Sequence, residues 1–89
     1  SGLQDQVEQL ADDAARTADG VREDLSGAQV DEEVREQTES AVTEAEAAVD
    51  EARTRLEELR REATPDPALL DDAERRLTEA REQLDAVTQ

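Results

Sequence analysis

Only Leu, Val and Ala are available to build a core in this chain. It holds nine Leu, seven Val and fifteen Ala, and no Ile, Met, Cys, Phe, Tyr or Trp. Ala buries little area, so the sixteen larger aliphatics carry most of the hydrophobic driving force, and their spacing decides the fold. A lone monomer with such a core is marginal, and self-association or high salt would help it.

The spacing is helical throughout. Leu70, Ala73, Leu77, Ala80, Leu84 and Val87 alternate three and four apart, a heptad seam. Asp66 is placed to cap this segment and Pro67 suits a first helical position, so Thr64-Pro65-Asp66-Pro67 reads as a stop followed by a restart. The third helix is expected over about 67–88. The middle segment, about 31–63, has a wider stripe of Val34, Thr38, Ala41, Val42, Ala45, Ala48, Val49, Ala52, Leu56, Leu59 and Ala63, as suits a helix packed by two neighbours. Asp31, Glu32 and Glu33 at its start and Arg60 and Arg61 near its end match the helix dipole. The first segment, about 3–26, carries Leu3, Val7, Leu10, Ala14, Ala18, Val21 and Leu25, with Gly27 as a C-cap. Asp19-Gly20 is a turn signal inside it, but Val21 and Leu25 continue the stripe, which favours an unbroken helix. Nine of the ten Arg follow an Asp or Glu by three or four positions, a further helix signature. The chain is therefore expected to be a single all-α unit over 1–89. Its architecture would be an antiparallel three-helix up-down-up bundle of coiled-coil-like hairpins with a long central helix.

Register can be sought from the same pattern. If helices 2 and 3 pair residues whose numbers sum to about 132–133, Ala63 meets Leu70, Leu59 meets Ala73 and Leu56 meets Leu77. That choice also sets Arg61 by Asp71, Arg60 by Asp72 and Glu57 by Arg75. For helices 1 and 2 the sum is about 55–56, which sets Val21 by Val34 and Val7 by Ala48. All three helices then overlap only around Ala45–Ala52. The two ends are two helices thick and leave apolar seams partly open, with Val21, Leu25 and Val34 at one end and Leu56, Leu59, Leu70 and Leu77 at the other. These seven are the candidate interface, since open seams seek a partner. The alternative is that helices 1 and 3 slide together into a compact bundle and one end of helix 2 projects.

Charge carries the other signal. Twenty-six Asp and Glu face ten Arg, with no Lys or His, for a net charge of −16. Self-repulsion strains such a fold, and salt relieves it because the screening length falls to about 3 Å at molar ionic strength. The composition is also disorder-like, but the apolar periodicity argues against disorder. The absence of Phe, Tyr, Met, Ile, Asn and Lys points to a GC-rich genome. Arg as the sole base, an acidic excess, and Val and Ala in place of Ile and aromatics resemble proteins of haloarchaea, with GC-rich actinobacteria as the alternative source. The run Thr43-Glu44-Ala45-Glu46-Ala47-Ala48 is similar to acidic coiled-coil segments of haloarchaeal chemotaxis transducers, though the Pro65/Pro67 break departs from their long uninterrupted hairpins.

The inventory of reactive groups is short. Without His or Cys there is no Ser-His-Asp or Cys-His nucleophile and no Glu-x-x-His di-iron pair, and no EF-hand pattern occurs. The chain is expected to be no enzyme and to hold no cofactor, with diffuse cation binding only. Its charge disfavours nucleic acid. From Asp31 to Glu51 it sets nine acids against one Arg, a face able to imitate a phosphate backbone toward a basic protein. Arg53, Arg55, Arg60 and Arg61 read as structural ion-pairing groups. No apolar run reaches membrane-spanning length and no signal peptide is visible; the absence of Asn leaves no N-glycosylation acceptor. The cytoplasm of a high-salt organism is the expected location, and Ser1-Gly2 reads as a tag remnant ahead of a trimmed or partial chain. The leading expectation is a non-enzymatic interaction or oligomerisation module that meets a second copy or another helical protein. The alternatives are a coiled-coil segment of a signalling or cell-structure protein and an acidic nucleic-acid mimic.

Overall fold

Local chemistry sets the limits of each helix. The computed structural model describes residues 2–62, 64 and 66–88, which form α1 (Gly2–Gly27), α2 (Glu32–Arg60) and α3 (Pro67–Val87). At the start of α3 the Asp66 carboxylate accepts from the Ala68 N–H at 2.9 Å, and Pro67 occupies the first turn. This satisfies one of the donors that a helix N-terminus leaves free. α2 opens with Glu32 and Glu33 and closes with Arg60, the order that its dipole favours. Asp31 precedes it without a side-chain cap bond.

α1 runs unbroken through Gly20, because Ala18, Val21 and Leu25 are all buried and hold the helix to its neighbours across the glycine. Gly27 is the last helical residue and not a left-handed cap; among the described residues no glycine has positive φ. Arg35 instead meets the end of α1 and the start of the connection, its guanidinium donating to the Leu25 carbonyl at 3.3 Å and the Ala28 carbonyl at 3.1 Å.

The three helices all pack against one another as an all-α bundle, 50 × 17 × 17 Å in extent. One aliphatic core runs along its axis in two clusters. The first joins Val7, Ala11 and Ala14 of α1 to Val49, Ala52, Leu56 and Leu59 of α2 and Leu70, Ala73 and Leu77 of α3. The second joins Ala18 and Val21 to Ala41, Val42 and Ala45 and to Ala80 and Leu84. Thr38 is the one buried polar residue described, and its hydroxyl donates to the Val34 carbonyl at 2.8 Å.

The register corrects the expected one. Three bridges join α1 to α2: Glu8–Arg60 at 2.7 Å, Asp12–Arg53 at 3.1 Å and Arg22–Glu46 at 2.7 Å. Their residue numbers sum to 65–68 where 55–56 was expected, a slide of roughly eleven residues or about 16 Å. Arg76 pairs with Glu51 across α2 and α3, a sum of 127 where 132–133 was expected and a slide of about 8 Å. Arg81 pairs with Asp13, tying α3 to α1. The helices thus adopt the compact alternative. α1 and α3 lie over the same stretch of α2 and leave its N-terminal turns projecting. The physical reason is burial: in the expected register Leu59 and Leu70 had no third helix over them, and here both are covered, at 1% and 4% exposure. The expected Ala63–Leu70 contact and the Pro65 half of the break, like the reading of Ser1, fall on residues outside those described.

Candidate functional site

The slide redistributes the residues expected to form an open interface. Val21 and Leu25 are buried where α1 faces α2, and Leu56, Leu59, Leu70 and Leu77 lie within the core. Six of the seven are therefore covered by the chain itself. Val34 alone stays out, 44% exposed on the projecting start of α2. Beside it Val30, in the connection from α1, is 38% exposed. Sequence reasoning missed Val30 because it precedes the helix and belongs to no stripe. Its position four residues before Val34 was the available signal.

The expected α2–α3 ion pairs also change partners. Arg60 reaches Glu8 of α1 and not Asp72. Arg75 pairs with Asp72 at 2.7 Å within α3, and not with Glu57. Among the described residues Arg61 and Asp71 form no bridge with each other. Arg53 and Arg60 both reach carboxylates of α1, so this pair of the basic cluster serves packing. The pairs are half exposed, and such pairs contribute roughly 0.2–1 kcal/mol each. Their geometric role is larger, since long side chains anchored at both ends resist axial sliding between smooth Ala-rich faces.

Asp72 has the most connected carboxylate. Arg75 hydrogen-bonds to it, Arg76 approaches at 3.7 Å and Arg55 is nearby. The Arg75 hydrogen bond, aided by the charges of Arg76, Arg75 and Arg55, holds the Asp72 carboxyl below the ordinary carboxylate range, against a smaller opposing effect of burial.

Concavities are shallow. An open groove of about 700 Å³ lies beside α1, bordered by Gln6, Gln9, Leu10, Asp12, Asp13, Arg16 and Glu74. Both of its aspartates are engaged already, Asp12 with Arg53 and Asp13 with Arg81 and Arg16. Among the described residues no group of three or more acidic side chains is arranged to hold a metal ion, no buried side-chain polar atom lacks a hydrogen-bond partner, and no helix is long and apolar enough to cross a membrane.

Net negative charge concentrates at one end of the bundle. Residues 19–39, around the α1–α2 turn, carry eight acids and two Arg, a net −6. Residues 53–76, around the α2–α3 turn, carry seven acids and six Arg, a net −1. Among the described residues, none of the eight acids at the first end is in a salt bridge. Halfway along α2, by contrast, Glu46 and Glu51 are engaged by Arg22 and Arg76. The acidic rod expected over Asp31–Glu51 is therefore interrupted, and its free charge lies toward the projecting end.

No protein-family model, curated protein or solved structure matches the chain.

Proposed function

We propose that this chain is a non-enzymatic helical interaction module, adapted to high salt, that folds as a self-contained monomer and works through its outer surface. The observation that carries the reading is the closed core: the aliphatic seams that would have sought a second copy are covered within one chain, Leu59 and Leu77 to 1% and Leu84 to 0% exposure. A bundle so closed offers no seam to an oligomer, while its ionisable groups face solvent. The net charge of −16 without Lys supports a high-salt setting, and the cytoplasm of a halophile is the location that fits it.

Light scattering in molar KCl, detected by refractive index because no side chain absorbs in the near ultraviolet, tests the reading. A mass of 9.8 kDa is expected. Twice that mass, lowered to 9.8 kDa by Leu56→Asp, would restore the open-seam interface and overturn the self-contained module.

A further inference from the structure

The exposed large aliphatics and the greater net negative charge occupy the same end of the molecule. Val30 and Val34 are the large aliphatics left exposed among the described residues, and Asp31, Glu32, Glu33 and Glu36 stand around them, all exposed. We propose that this end, the α1–α2 connection with the first two turns of α2, docks a basic amphipathic protein segment carrying Arg or Lys beside aliphatic residues. The inference rests on the module reading and names its partner's chemistry.

Charge decides the class of occupant. With the end of α3 included, this pole of the bundle holds a net −7, against −3 for the opposite pole with the start of α1 included. The positive end of the α2 dipole is equivalent to about half a charge, too little to reverse the sign. A second copy would bring another −7 to the contact and be repelled, whereas a cationic segment is drawn in and oriented. Arg35, the nearest base on α2, is turned back onto the carbonyls of Leu25 and Ala28 and does not bridge to the acids around it.

The valines decide against a purely ionic partner. Val34 does not belong to either core cluster, so the fold does not require a large aliphatic there. Covering both valines removes apolar surface from water, which a small cation cannot do but an aliphatic side chain can. In concentrated salt, where charge is screened within about 3 Å, this apolar contribution is the part of the affinity that persists.

The test uses two synthetic peptides of equal positive charge, one with Leu at helical spacing and one with Ser in those places. Both are titrated into the intact chain by calorimetry, in dilute buffer and in molar KCl. The Leu peptide is expected to bind at least about five-fold more tightly, since each buried methylene is worth several-fold in affinity. V30S/V34S removes that advantage and keeps its helicity. E32Q/E33Q/E36Q weakens both peptides in dilute buffer, while E57Q/E58Q/E62Q at the opposite pole changes them less. On titration of the unaltered protein, the methyl resonances of Val30 and Val34 shift while those of Leu59 and Leu70 do not. Equal binding of the two peptides, an advantage that survives V30S/V34S, or equal loss from the two Gln sets overturns the docking face. A doubled mass in scattering is the separate failure of the module reading.

Discussion

Val7 and Leu59 offer the sharpest test of the register. They share one core cluster, at 0% and 1% exposure, and the neighbouring Glu8–Arg60 bridge sets their two helices level. Val7→Ala deletes two methyl equivalents at about 0.8 kcal/mol each, and the residual cavity brings the cost to about 2 kcal/mol. Leu59→Ala costs about 2–5 kcal/mol by the same reasoning. A chain of 89 residues has roughly 4–13 kcal/mol of stability in total, so each change is plainly measurable. Because the two side chains share one cluster, the double variant should fall short of the summed cost by more than about 0.5 kcal/mol. In the register where Val7 lies beside Ala48, Leu59 is eleven residues further along α2, or about 16 Å away, and the costs would add. The assay is urea unfolding followed by far-ultraviolet circular dichroism in molar KCl, where self-repulsion is screened. Additivity within about 0.3 kcal/mol would refute the observed register.

Four further outcomes are expected. Gly20→Ala should stabilise the chain by about 0.5–1 kcal/mol in the same assay, because Gly20 has helical backbone and a Cβ there meets nothing within 4 Å; a loss would mean that α1 bends at this point. Asp66→Ala should cost about 1 kcal/mol through the lost cap on Ala68, and no change in urea midpoint would deny the cap any role. Raising KCl from about 0.1 M to about 1 M should raise the melting temperature, since screening the net −16 outweighs weakening half-exposed pairs; a lower melting temperature would show the pairs to dominate. The Asp72 carboxyl, observed by NMR, should titrate below the usual range, and Arg75→Ala should move it up. Since the folded-state value is the lower one, the pair's contribution is present above the unfolded carboxylate pKa of about 3.9 and fades as pH falls through the folded value. A resonance unmoved by Arg75→Ala would exclude that hydrogen bond as the cause.

The candidate surface was less legible than the fold. Val34 is singled out by its stripe, but the reason it stays exposed is that α1 and α3 end before reaching it. Val30 precedes the helix, and only its spacing of four from Val34 could have revealed it. Arg60 offers acids at several spacings, Glu57 on its own helix, Glu8 on α1 and Asp72 on α3, and the geometry of three helices together selects Glu8. Pairwise matching of large to small residues favoured another choice because it compared two helices at a time.

What the sequence determined by itself is local. The 3.6-residue period placed Val7, Ala14, Ala18, Val21 and Leu25 on one face of α1. Asp66 and Pro67 marked where α3 begins, and the continuing stripe carried α1 across Gly20. These depend on neighbours within a turn or two and can be read from spacing. Axial register was decided only by the tertiary structure. Eleven residues make just over three whole turns, so a slide of that length returns an aliphatic face nearly to itself, and an Ala-rich seam scarcely distinguishes the two positions. Covering Leu59 and Leu70 with a third helix, and seating Arg22, Arg53 and Arg60 on opposite helices at once, are properties of the whole bundle. They select the compact register because it alone removes both ends of the core from water.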